Sequence, residues 1–225
     1  MTIEEMISAV ELGLQKIDSA ARDDFLPQEI VDYLNKAQIE FVKDRFQGMN
    51  EPGFEQDAKR VSDLQELVTT NPLVPIVEST LVILGSPHEL LLPYPDDYMF
   101  HVTVEVGITR TANPVMTGKT YVPCDPITHE QIKYVRVVPL QHSPVIRVPK
   151  VLFRESFMHI FTDIETTVID GRHTFVRVPD TMILNETDPL LSVSSELNEH
   201  THTDIVNIAI RLMLGDLLDD PTPRS

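Results

Sequence analysis

Near residue 70 the hydrophobic period of this chain changes, and nothing else in the sequence constrains its architecture as much. Before that point apolar residues recur every three to four positions, the spacing of helices with one buried stripe. After it, NPLVPIVESTLVIL (71–84) interleaves β-branched residues with prolines, which favours strands. Helical and strand patterns in separate blocks predict an α+β fold, not alternating βα units.

Three helices are expected in 2–69, forming an N-terminal bundle. Ile3, Met6, Ile7, Val10, Leu14 and Ile17 share one helical face, with Glu4 and Glu5 at the positive end of the dipole and Lys16 at the negative end. A second helix starts at Pro27, buries Ile30, Leu34, Ala37 and Phe41, and is stopped by Gly48. After EPGF, the stretch EQDAKRVSDLQELV puts Val61, Leu64 and Val68 on one stripe.

In MFHVTVEVGITR (99–110), Phe100, Val102, Val104, Val106 and Ile108 alternate with polar or small residues, the pattern of a strand with one buried face. PITHEQIKYVRVV (126–138) opens as a short helix, with Thr128 and Gln131 placed for a capping box, and then becomes ambiguous. VIRVPKVLFR, SFMHIFTDIETTVI and HTFVRVP read as extended, and the DGR at 170–172 predicts a turn between two strands. The expectation is a mainly antiparallel sheet of about five or six strands between helices at either end. The regions are 1–70, helical; 71–190, β-rich; and 191–225, a closing helix with a loose acidic, proline-rich tail, all packed as one unit.

The 225 residues suffice to bury a core without crosslinks, and the lone Cys124 excludes an intrachain disulfide, so assembly in a reducing cell interior fits. A net charge of -17 argues against a surface built to neutralise phosphates, though not against an acidic wall past which DNA slides. No apolar stretch approaches the ~20 residues that cross a bilayer, and MTIEEMISAV carries acids where a signal peptide carries positive charge. No membrane anchor is expected. Seventeen prolines against eight glycines favour stiff extended connections.

NEHTHTDIVNIAIRLMLGDL (198–217) raises the one sharp chemical question, because two histidines and two acids precede an apolar run. Thr201 and Asp204 are spaced to cap the helix reciprocally. His200 and His202 supply at most two metal ligands where zinc takes three or four, so the cap is favoured over a metal-dependent hydrolase that borrows a distant acid. The helix itself is apolar around most of its girth. Ile205, Val206, Ile208, Ile210, Leu212 and Met213 leave only a narrow polar line through Asp204, Asn207 and Arg211. Such a helix is covered on more than one side, either within one chain or by a neighbouring subunit. Both readings stay open, and these six residues are the candidate oligomer interface.

Other motifs carry less. MTGKT (116–120) lacks the first glycine of a phosphate loop, Asn113 standing in its place. Cys124 with His129 has no oxyanion signature beside it and reads as a structural cysteine. Asp96 with Asp97, Asp219 with Asp220, and Asp163 with Glu165 are pairs that 35 acids supply by chance. No catalytic residue, metal site or cofactor is expected.

The order of signals resembles the ring, or head-to-tail connector, proteins of crAss-like bacteriophages. The matching stretches are MTIEEMI, KAQIEFVKDRF, GFEQDAKRVSDLQELV, LPYPDDYMFHVTVEV, PCDPITHEQI, TFVRVPDTMIL and LNEHTHTDIVNIAIRLML, with a departure at YVRVVPLQHSP. The resemblance implies a non-enzymatic virion protein of the neck or tail. It would form a twelve-fold ring stacked on the portal or on neighbouring tail ring proteins, with DNA passing through unbound. A receptor-binding or baseplate-type adaptor is the third reading.

Overall fold

In the computed structural model, residues 1–17, 25–47, 61–73, 77–78, 88–110, 120–132, 148–154, 157–162, 166–185 and 187–219 are described. They divide into two compact units, one made of 1–67 with 178–225 and the other of 68–177. The β-rich block therefore gives way to the helical unit at residue 178, not near 190.

In the helical unit, α1 (Ile3–Ile17) buries Ile3, Met6, Ile7, Val10 and Leu14, while Ile17 at its end stays exposed. Thr2 and Glu5 close a capping box: the Thr2 amide donates to Glu5 Oε2 at 2.8 Å and the Glu5 amide to Thr2 Oγ1 at 3.3 Å. α2 (Pro27–Gln47) buries Ile30, Leu34, Ala37 and Phe41 as its spacing predicts, with Val31, Gln38 and Val42 beside them. Of the third expected helix the described part is 61–64, running into a 3-10 turn at Gln65–Leu67. Its stripe is not the one expected. Leu64 and Leu67 are buried, whereas Val61 and Val68 are exposed, because the helix ends and a strand begins at Val68.

The closing helix α3 (His202–Asp219) packs on α2 and α1. Gly13 of α1 makes the approach close: a Cβ there would lie 2.3 Å from Ile210 Cδ1. The extended stretch leading into α3 is held by side chains of α2. Asn35 Nδ2 donates to the Met182 carbonyl at 3.0 Å while the Met182 amide donates to Asn35 Oδ1 at 2.8 Å. Buried Gln38 donates to the Asp180 carbonyl and accepts from Ser195 Oγ. These amides stand in for a sheet ladder, so the extended backbone is satisfied against a helix.

The second unit contains nine strands among the described residues, more than the sequence suggests, and they form two sheets. The first has the order β1 (Val68–Leu73), β9 (Thr166–Arg177), β4 (Tyr98–Arg110), β5 (Thr120–Pro123), all antiparallel. The second runs β2 (Val77–Glu78), β3 (His88–Pro93), β8 (Phe157–Thr162), β7 (Lys150–Phe153), β6 (Asp125–Pro126), antiparallel except for β6 on β7. Leu90, Leu92, Val104, Val106, Ile108, Val151, Met158 and Ile160, drawn from both sheets, share one core. Cys124 turns the chain from one sheet to the other, its amide donating to the Val104 carbonyl at 2.8 Å. Pro72 and Pro126 sit in the edge strands β1 and β6, where a missing N–H is tolerated.

Two local expectations are corrected. The DGR at 170–172 is no turn. It lies inside β9, where Gly171 pairs with Val106, Tyr121 Oη donates to Asp170 Oδ2 at 3.1 Å and Arg172 lies over the Tyr121 ring at 3.8 Å. The alternation in β4 also breaks: register shifts fall between His101 and Thr103 and between Gly107 and Ile108, so Val102 and Ile169 are extra residues and are exposed.

MTGKT as far as Lys119, YVRVVPLQHSP, the EPGF stretch, Asp163 with Glu165, and Asp220 with the tail lie outside the described residues.

Candidate functional site

The sequence cluster before α3 resolves into structural contacts. The Thr201 hydroxyl is buried and donates to the Asn198 carbonyl at 2.7 Å instead of accepting from the Asp204 amide. The Asp204 carboxylate does not reach back; it accepts from Arg45 Nη2 at 2.7 Å. The reciprocal cap is thus replaced by a 3-10 turn, Glu199–Thr201, that leads into the helix, because Arg45 of α2 competes for the carboxylate.

The two histidines go separate ways. His202 is buried and its Nε2 donates to the Leu197 carbonyl at 2.8 Å, which fixes the proton on that nitrogen. His200 is half-exposed and its Nε2 lies 2.7 Å from Oδ1 of buried Asp63. Asp63 Oδ2 also stands 3.1 Å from Arg45 Nε, a charge contact without hydrogen-bond alignment. Arg45 stacks on the Phe41 ring at 4.8 Å. The cluster ties residues 61–67, α2 and the start of α3 together; among the described residues, no three His, Cys, Asp or Glu side chains gather to hold a metal ion.

Of the six candidate interface residues, Ile205, Val206 and Met213 are buried within the chain. At ~1.5–3 kcal/mol each they are core residues that no partner reaches without opening the unit. Ile210 is half-buried against Gly13 of α1. Ile208 and Leu212, one turn apart, are half-buried and border the exposed line Thr203, Asn207, Arg211. The apolar girth of α3 is therefore mostly accounted for by α1 and α2.

Elsewhere, burial and the carboxylates of Asp125 and Glu105 push the Cys124 thiol up to about 12, so it stays protonated, and His129 is exposed in a turn. Asp96 and Asp97 form the exposed turn between β3 and β4. In the β unit, His101 Nδ1 and His173 Nε2 approach to 3.3 Å among Tyr98, Phe153 and Phe175. Burial, then the neighbouring His101, pulls His173 down to about 4, and burial lowers His101 as well. This is a packed aromatic layer with two neutral imidazoles in it.

The sequence reading passed over the loop at 183–193. Ile183 and Val193 pair through two backbone hydrogen bonds of 3.0 and 2.8 Å. Inside the bridge, Asn185 Oδ1 accepts from the amides of Thr187 and Asp188, Asp188 Oδ1 from Leu190, and Ser192 Oγ from Asn185. Nested turns of this kind are legible as NETDP, with Asn and Asp each spaced to accept from amides further on. Their result was not: Leu190 is 92% exposed and Leu191 62% exposed.

A family model described as phage tail ring protein 3/4, from the crAss ring group, matches residues 1–216. The chain belongs to the phage tail ring protein 3/4 family. Comparison with curated proteins finds no match. The family makes the chain a structural component of a phage tail and part of a multi-subunit assembly. No helix among the described residues is long and apolar enough to cross a membrane.

Proposed function

We propose that this chain builds a closed homo-oligomeric ring in the neck or tail of the virion, joins portal-side to distal tail components and encloses the DNA path without catalysing a reaction. The family match over 1–216 carries this reading. Identical subunits close into a ring through heterologous contacts, so each copy needs two different complementary surfaces. The Ile208–Leu212 stripe of α3 contributes to one of them. A net charge of -17 suits a conduit whose wall repels phosphate. That His200 and His202 are engaged by Asp63 and by the Leu197 carbonyl also favours a non-catalytic role.

The test is native mass spectrometry with negative-stain imaging of the purified chain, alone and with its portal. Closed rings of twelve copies are expected. Leu212→Asp is expected to keep its helical circular dichroism and to assemble more weakly than the unchanged chain. Wild-type protein that remains monomeric in both settings would overturn the reading, and stoichiometric zinc that survives dialysis but is lost from the H200A/H202A chain would point to the hydrolase instead.

A further inference from the structure

We infer that the His101–His173 contact is a proton-operated latch: a proton taken up by His101 breaks it and frees the 98–102 stretch of β4 while the rest of the β unit stays folded. It stands apart from the ring reading and does not need it.

The contact holds only one pattern of protons. His101 Nδ1 and His173 Nε2 stand 3.3 Å apart, so one of the two nitrogens carries the hydrogen that joins them. His173 is wholly buried, and among the described residues its Nδ1 meets no hydrogen-bond partner. Were His101 the donor, the His173 proton would sit on that Nδ1, an interior N–H with no acceptor, which folded proteins avoid more strictly than an idle acceptor. His173 Nε2 therefore donates and His101 Nδ1 accepts. A proton arriving at His101 Nδ1 turns the acceptor into a donor, and two N–H groups then face each other.

Of the two rings, His101 is the one placed to leave. It is half-buried where His173 is fully enclosed. Burial pulls both below the ordinary imidazole value of 6.5, His173 as far as about 4 with His101 beside it, so the first proton goes to His101. The backbone differs in the same sense. β9 carries His173 through six consecutive pairs with β1. The β4 register instead shifts on both sides of His101, between Tyr98 and Phe100 and between His101 and Thr103. Only Phe100 and His101 stay in register between those irregularities, so little ladder holds the stretch.

The surroundings give an imidazolium no anion. His101 lies 4.4 Å from the Phe153 ring of β7, and His173 lies 5.0 Å from Phe175 on β9 and 5.5 Å from Tyr98 on β4. Tyr94, after β3, packs on Tyr98 and Phe153, and burial raises both tyrosines above their ordinary 10, so both are neutral. Across β4 and β9 the next charged residues, Glu105 and Arg172, stand opposite each other one step beyond Val104 and His173, on the other face of the sheet. A charged His101 has aromatic faces here and full hydration outside, and water offers it more. In leaving, it gives up Phe153, its contact with the second sheet.

Hydrogen exchange of the full-length chain, read by mass spectrometry at pH 7.5 and 5.0 and divided by the intrinsic rate at each pH, tests the latch. In the wild type, exchange over 98–102 should rise by up to about 30-fold, the ratio for an imidazole of ordinary value that takes its proton only after release. At pH 5.0 the ladder of 68–73 with 171–176 should stay at least about tenfold better protected than 98–102. His101→Gln keeps an acceptor for His173 and cannot titrate, so it should lose most of the rise; His101→Phe, which keeps a ring against Phe153, serves where Gln packs poorly. Melting at pH 7.5 checks that both variants fold.

A wild-type 98–102 stretch that exchanges equally at both pH values overturns the proposal. A rise undiminished in both variants does the same, since the proton then acts elsewhere. So does a common rate for 98–102 and the β1–β9 ladder at pH 5.0, which is unfolding of the whole unit and not a latch.

Discussion

Asp63 is almost wholly buried, yet it meets basic side chains from two other elements, Arg45 of α2 and His200 at the entrance to α3. Removing its charge takes an anion from Arg45 and weakens the acceptor that His200 meets. Because Arg45 and His200 keep partial access to water, Asp63→Asn is expected to cost about 1–3 kcal/mol, short of a fully buried pair; urea denaturation followed at 222 nm measures it. The sequence placed His200 and His202 correctly at the helix entrance but did not show their partners, since Asp63 lies 137 positions upstream of His200 and no local spacing encodes that meeting. The His101–His173 pair was hidden for the same reason. His173 is held neutral down to about 4, below its ordinary value of 6.5, so in that window the unfolded chain binds more protons than the folded one. Stability of the β unit is then fully present above about pH 6.5 and falls by about 1–3 kcal/mol as pH drops toward 4. His173→Phe should flatten that slope in melting curves taken from pH 4 to 7.

At the scale of elements, α1 and α2 were legible because each has one stripe, and a stripe needs only its own sequence to be seen. α3 was legible as a helix, but its girth had two explanations that periodicity cannot separate: α1 and α2 cover it, through Gly13 on one side and the α2 stripe on the other. Asp-Gly at 170–171 misled because a hairpin signal is overridden where both neighbouring strands supply partners: Gly171 pairs with Val106 on β4 and with Leu73 on β1. The bulges at Val102 and Ile169 are likewise invisible to an alternation count, which assumes that no residue is skipped. From α3's place follows a test. A chain ended after Arg177 lacks the helix that packs on both α1 and α2, and it is expected to lose most of its cooperative helical signal while amide exchange in the β unit stays slow; hydrogen exchange read by mass spectrometry resolves the two.

The whole molecule carries -17 charges into every contact with its own copies. With screening over about 10 Å at 0.1 M salt, assembly is expected to strengthen as sodium chloride rises from roughly 0.05 to 0.5 M, the opposite of a phosphate binder, whose affinity falls with salt; mass photometry across that range checks the sign. The helical unit draws on both ends of the chain, 1–67 and 178–225, with the entire β unit between them. During synthesis at ~10 residues per second, α1 and α2 therefore wait on the order of 10 s for α3. Until α3 leaves the ribosome they have no finished core, so a polypeptide cut short before it displays no completed helical unit, whatever its β unit has achieved.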